Sequence, residues 1–167
     1  MIQTSRLRLV LESTEAVLGR IEAMSPAERA EVSPEWLARV RATAPSPWTH
    51  GFALVERATG AIVGSCGYKG PPDVDGAVEI AYGVDPAYRG RGYAREAVAA
   101  LVAFALDAGG ARCVRAHTRP ANSASARVLT VCGFERVGDV VDPDDGVVSR
   151  WEIVAPDRRP TSRPTMR

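Results

Sequence analysis

Between Arg6 and Leu11 polar and apolar positions alternate and then turn fully apolar, the pattern of a strand packed on one face. From Ser13 to about Arg41 the apolar positions adopt helical spacing in two pieces, broken near Ser25-Pro26. Ser33-Pro34-Glu35 supplies the second piece with a cap, a first-turn proline and a helpful carboxylate, ahead of Trp36, Leu37 and Val40 on one side. Ala44-Pro45-Ser46-Pro47 cannot continue a helix. Beyond it, residues 52–56 and 62–68 read as strands joined by a tight turn at Thr59-Gly60, and residues 77–84 as a further strand stopped by Asp85-Pro86. After Gly92 the positions Ala94, Ala97, Val98, Leu101, Val102, Ala105 and Ala108 recur at three and four, a helical face ending at Gly109-Gly110. Residues 112–117 form another strand, and Asn122 or Ser123 caps a short helix through Val131, closed by Gly133. Phe134 to Val137 and Val147 to Ile153 complete the set.

The expectation is a mixed α/β (α+β) fold. One domain over residues 1–155 holds about seven mostly antiparallel strands flanked by about four helices. Residues 156–167, rich in Pro, Arg, Ser and Thr, have little to bury and are expected to be a mobile tail.

Length and charge narrow the function. A chain of 167 residues that is 46% hydrophobic can bury one sizeable core. Its formal net charge of +1 gives no overall field to recruit nucleic acid or an anionic membrane, so neither is expected as a partner. The amino-terminal decapeptide lacks the apolar stretch of a secretory signal and no later run could span a bilayer, which points to the cytoplasm. Cys66, Cys113 and Cys132 are odd in number and widely separated, so buried free thiols are expected and no metal site.

The chemistry concentrates in Tyr88-Arg89-Gly90-Arg91-Gly92-Tyr93-Ala94, where a strand meets the long helix. Helix amino-terminal amides lack intrahelical partners, the helix dipole favours negative charge there, and glycines let the backbone approach a phosphate closely. A pyrophosphate fits such a cradle. The phosphate loop of triphosphatases needs Gly-Lys-Ser/Thr, which is absent, and the dinucleotide fingerprint wants Gly or Ala where Arg95 stands. The plainer alternative is a glycine turn with solvated arginines.

Arg89-x-x-Gly92-x-Ala94 resembles the Arg/Gln-x-x-Gly-x-Gly/Ala signature of GNAT acetyltransferases. The similarity extends to Val78-Glu79-Ile80-Ala81-Tyr82-Gly83-Val84-Asp85-Pro86, to Ser5-Arg6-Leu7-Arg8-Leu9, to Glu96-Ala97 and to Asn122-x-x-Ser125-x-Arg127-Val128-Leu129 with Gly133-Phe134. These segments look like the branch that includes bacterial ribosomal-protein N-terminal acetyltransferases. The resemblance implies acetyl-coenzyme A as cosubstrate and transfer of its acetyl group to a primary amine, on a protein amino terminus or a small molecule, by direct attack in a ternary complex. A catalytically silent acyl-coenzyme A-binding module is the alternative.

By the same resemblance the backbone from Arg89 through Gly90, Arg91, Gly92, Tyr93 and Ala94 holds the pyrophosphate. The strand around Val84 pairs with the pantetheine arm, and the Val84 amide donates to the thioester oxygen. Asn122 bonds the arm or caps its helix, or does both. Glu79 takes the position of a general base, directly or through water, although a carboxylate there can equally anchor a neighbouring element. Many relatives place a tyrosine general acid seven residues after the asparagine; here that residue is Leu129, and Ser125 is the hydroxyl on offer, a weak acid suited to positioning the sulfur. His117 is an outside candidate for proton transfer. Tyr82 is either core or acceptor-site lining, and Arg119 and Arg127 either meet phosphates or face solvent. The acceptor site is expected from residues 24–50 and from a loop over residues 139–146, whose aspartates read as solvated. Trp36 and Trp48 read as core packing in preference to pocket lining. An open edge strand would suit a homodimer.

Overall fold

The computed structural model describes residues 1–156 of the chain; of the expected tail only Pro156 falls within them. The first strands form a meander. β1 (Ile2–Gln3), β2 (Leu7–Leu11), β3 (Phe52–Glu56), β4 (Ile62–Tyr68) and β5 (Ala77–Val84) pair in sequence, each antiparallel to the last. β6 (Cys113–Thr118) then lies parallel to β5, and β8 (Gly146–Val154) and β7 (Glu135–Asp142) extend the sheet beyond it as an antiparallel hairpin. The order is β1-β2-β3-β4-β5-β6-β8-β7. These eight strands include the two-residue β1, too short to leave a periodic signal.

Between β2 and β3 run α1 (Thr14–Glu22), α2 (Pro26–Ala30) and α3 (Pro34–Ala42). The break at Ser25-Pro26 is itself a short helix, because Ser25 accepts from the Glu28 amide while the Glu28 carboxylate returns to the Ser25 amide, a complete capping box. These helices close a small core of their own around Val17, Ile21 and Val40.

α4 (Tyr93–Ala103) connects β5 to β6, and α5 (Ser123–Val131) connects β6 to β7. Both lie on the face of the sheet that carries the main core: Leu7, Leu9, Leu54, Val78, Ile80, Val114 and Ala116 meet Val98, Leu101 and Leu129 there. α4 continues into a widened turn over Phe104–Ala108, where the Gly109 amide bonds the Phe104 carbonyl five residues back. Trp48, Tyr68 and Phe104 pack together beside that turn, with ring centroids 4.8 to 6.1 Å apart, so the half-buried Trp48 packs against the main core.

The β5 and β6 registers decide where chemistry can occur. Their pairing lasts only from Ala77 opposite Cys113 to Glu79 opposite Arg115, although β5 runs on to Val84 and β6 to Thr118. Past Glu79 the strands part and open a wedge. The Glu79 carbonyl and the Asp85 amide bond to the β4 side, so by alternation the backbone groups of Tyr82 and Val84 face the wedge.

Candidate active site

The cradle sits at the mouth of this wedge. Gly90 (φ 76°) and Gly92 (φ 84°) both adopt the left-handed conformation that L side chains disfavour, which turns the chain from β5 into α4. Among the described residues the amides of Gly90, Arg91 and Gly92 find no intramolecular acceptor, and those of Tyr93 and Ala94 open the helix. A run of free N–H groups at a helix amino terminus is suited to a pyrophosphate, so these residues fit the coenzyme that the family pattern implies.

The two arginine side chains each have a partner close by. The Arg89 Nε donates to the Val84 carbonyl at 3.0 Å, bracing the end of β5, and the Arg91 guanidinium lies 5.4 Å from the Tyr88 ring. The Tyr93 side chain turns inward, its hydroxyl bonded to Glu56, so only its backbone belongs to the cradle.

Arg6, which sequence reading placed only in a strand, ties the cradle down. Its Nη1 donates to the Arg91 carbonyl at 2.7 Å, its Nε meets Glu96 at 3.0 Å, and its guanidinium stacks 4.8 Å over Tyr93. Burial pushes the Glu96 carboxyl up, but the Thr4 hydroxyl and the Arg6 amide and guanidinium outweigh it and hold the group below its ordinary 4.5. A depressed carboxylate contributes stability above its unfolded value and loses it as pH falls through the folded one. Glu96→Gln is therefore expected to flatten the acid limb of a melting-temperature profile.

At the apex of the wedge Glu79 meets His117. The His117 Nδ1 lies 2.7 Å from Glu79 Oε1, and the Lys69 Nζ lies 2.8 Å from the same oxygen. The Arg150 Nε donates to His117 Nε2 at 3.1 Å, so that nitrogen accepts, and Nδ1 carries the proton given to Glu79. Desolvation raises the Glu79 pKa, yet the hydrogen bonds from Lys69 and His117 prevail and hold it below 4.5. Both partners use Oε1; among the described residues Oε2 accepts no hydrogen bond and is free.

Sequence reading proposed Glu79 and weighed His117 separately. That they touch follows from the splay of two strands 38 residues apart in the chain, which no local pattern reports. Lys69 and Arg150 were missed for the same reason.

Elsewhere the site residues take structural duties as well. Asn122 caps α5, its side chain accepting from the Ser125 amide at 3.1 Å. Leu129 is fully buried in the main core, so a tyrosine there would be overpacked. Leu129→Tyr is expected to cost about 1–3 kcal/mol of stability, read by denaturant titration, without restoring an acid.

Residues 139–146 are not the loop expected from sequence: β7 runs through Asp142 and only a tight turn separates it from β8. Alternation of exposed and half-buried positions along β7 was obscured by its aspartates, two of which are structural. Asp139 binds Arg136 and Ser149, and Asp142 accepts from the Asp144 and Asp145 amides, which lowers its pKa. Arg119 is exposed near Glu31 and Asp145, at 3.5 and 3.7 Å, and Arg127 is exposed. Trp36 is half-buried and donates to the Thr49 carbonyl at 2.7 Å. His50 is buried against Thr14, away from the wedge. Cys66 is buried as expected, whereas Cys113 and Cys132 are only half-buried, because each sits at the margin of the sheet or helix that shelters it. No helix among the described residues is long and apolar enough to cross a membrane.

The chain is 32% identical over 89 residues to the uncharacterized N-acetyltransferase YjdG of Bacillus subtilis (strain 168), a match covering 52% of this chain and 53% of that one. The chain spans about half the length of the curated relatives it matches. Its fold is similar to that of the ribosomal-protein-S5-alanine acetyltransferase of Vibrio fischeri, with 19% identity, a TM-score of 0.69 and coverage of 95% and 98% of the two chains. It is also similar to that of the ribosomal alpha-N-protein acetyltransferase RimL in complex with coenzyme A, with 15% identity, a TM-score of 0.70 and coverage of 90% and 95%. Residues 8–135 match the acetyltransferase (GNAT) domain, and the chain belongs to that family.

Proposed function

We propose that this chain is an acetyl-coenzyme A-dependent N-acetyltransferase in which a primary amine attacks the thioester directly within a ternary complex. The observation that carries this reading is the wedge itself, with free amides at its mouth and the Glu79–His117 pair at its apex. When bound, acetyl-coenzyme A supplies an activated carbonyl and a thiolate leaving group. The amides of residues 90–94 bind its pyrophosphate, and the exposed β5 edge around Val84 orients the pantetheine arm, with the Val84 amide directed at the thioester oxygen. Ser125, on the first turn of α5, faces the sulfur.

An arriving amine is an ammonium ion at neutral pH and must lose a proton before it can attack. Glu79 Oε2 takes that proton, directly or through water, while Lys69 and His117 hold Oε1 and fix the carboxylate's orientation. The neutral amine then forms the C–N bond, the C–S bond breaks, the thiolate leaves, and the second proton of the attacking nitrogen passes to solvent or to the released thiolate. A carboxylate with a lowered pKa is a weak base, so its contribution is chiefly to hold the ammonium in place and take its proton before the C–N bond forms.

The acceptor lies over the Glu79 face. Similarity to ribosomal-protein acetyltransferases supports a protein amino terminus; small amines are the other class. β7 is an open edge, the feature on which an expected homodimer rests. Incubation with acetyl-coenzyme A and panels of free-amino-terminus peptides and small amines, read by mass spectrometry, tests the activity. A mass gain of one acetyl group on an acceptor supports it; tight coenzyme binding with no acceptor modified would favour the silent binding module instead.

A further inference from the structure

The Tyr82 hydroxyl is shut off from solvent and makes no hydrogen bond within the described residues. Buried polar groups are rarely left so, because desolvation without a partner costs free energy that a phenylalanine would avoid. Tyr82 stands on β5 beyond the point where β6 departs, on the face turned toward α5. Burial pushes its phenol up, and the neighbouring Ser125 hydroxyl partly offsets that push, although the two fall short of hydrogen-bond geometry. Ser125 is held by its amide on Asn122, while its own hydroxyl has no partner among the described residues. The unsatisfied Tyr82 hydroxyl therefore neighbours a Ser125 hydroxyl that is open to solvent, where the sulfur is placed by the proposed function, and the residue one turn further on, Leu129, cannot donate.

We propose that Tyr82 is a positioning residue for the departing sulfur: once coenzyme is bound, its otherwise unpaired hydroxyl closes onto Ser125 Oγ as a donor and so turns the Ser125 hydrogen toward the coenzyme's sulfur. This rests on the reading of Ser125 as the group that faces the thioester. No proton is transferred; two hydrogen bonds in series stabilise the thiolate as the C–S bond breaks. The arrangement explains why a serine, a poor donor alone, can serve where other members of the family present a phenol, since a hydroxyl that accepts one hydrogen bond donates a stronger one.

The thiol of bound coenzyme A reports this directly, with no need for an acceptor amine. Its pH midpoint of thiolate formation can be followed by ultraviolet absorbance, with coenzyme-free protein as the blank. The titratable groups facing Tyr82 are few: Cys132 on α5, whose thiol burial raises, and Arg95 beside it. Cys113 and Cys66 are raised to about 11 and about 12, so those two thiols ionise above the range of interest, and the coenzyme-free blank subtracts the contribution of Cys132.

In wild type the bound thiol should ionise at lower pH than free coenzyme A. Tyr82→Phe should raise the midpoint by about one pH unit, the scale of one hydrogen bond to a charged group. Ser125→Ala should do the same, and the double variant should move no further than Ser125→Ala alone. Tyr82→Phe should also melt no lower than wild type, since it removes only an unpaired hydroxyl. A wild-type midpoint in Tyr82→Phe alongside a raised one in Ser125→Ala would overturn the role of Tyr82 and leave the site reading intact. Midpoints unchanged in both variants would overturn the placement of the sulfur, and with it this proposal. Failure of wild type to bind coenzyme A would overturn the cradle itself and everything built on it.

Discussion

Gly92→Asp is expected to weaken acetyl-coenzyme A binding by about 100-fold or more, close to 3 kcal/mol, while the protein stays folded. The separation of the two effects follows from where Gly92 lies. As the residue before the first turn of α4 it is the N-cap, a position that aspartate favours in helices generally. A Cβ there would approach only the Arg6 Nη2, at 3.1 Å, the far end of an exposed side chain that can give way. The left-handed backbone costs aspartate about 1–2 kcal/mol, less than for a branched residue, and its contact with the Arg6 guanidinium offsets part of that. Its carboxylate, however, would occupy the free amides as an internal anion and repel a pyrophosphate from the same place. Isothermal calorimetry reads the affinity and a melting curve reads the fold; wild-type affinity in the variant would show that the cradle does not bind the coenzyme.

Glu79→Gln is expected to lower kcat/KM by about 100-fold or more, the usual scale for loss of a general base, with coenzyme affinity unchanged. The amide preserves the side-chain shape, so Lys69 and His117 keep a polar neighbour but lose the negative charge that orders them. The pH dependence has a definite sign. Wild-type Glu79 has a depressed pKa, so the active, ionised form persists throughout the neutral range and is lost only as pH falls through a value below 4.5. The stability it contributes is lost over the same acid window. Replacing it should therefore scale the neutral and alkaline profile down uniformly. Near-normal turnover by Glu79→Gln, with whichever acceptor supports wild-type turnover, would remove Glu79 as base.

Much of this protein is written locally. The helical face from Ala94 to Ala108, the strand stopped at Asp85-Pro86, and the Ser33 cap each follow from residue types within one or two turns of the chain, and the structure places each near where the pattern does. The cradle is local in the same sense. A glycine forced to positive φ and a helix amino terminus need only a few neighbouring residues, so the turn proposed to bind phosphate can be located from residue types alone.

What the tertiary structure alone decided are the contacts between distant segments. Arg6 reaching Arg91 and Glu96 depends on β2 lying beside α4, which the amino-terminal pattern does not show. The last half of β7, Asp139 to Asp142, was misread as part of an acidic loop because aspartates mark turns by composition, whereas here two of them bond their own hairpin. The strand count rose to eight because β1 pairs two residues with β2, too few for any periodicity. The meeting of Glu79 with His117, Lys69 and Arg150, and of Tyr82 with Ser125, depends on sheet register and on the parting of β5 from β6. Side-chain periodicity fixes which face of a strand is buried, but not which residue of another strand lies opposite. That choice is made by packing of the whole sheet against α4 and α5, and the reactive geometry of this protein is set there.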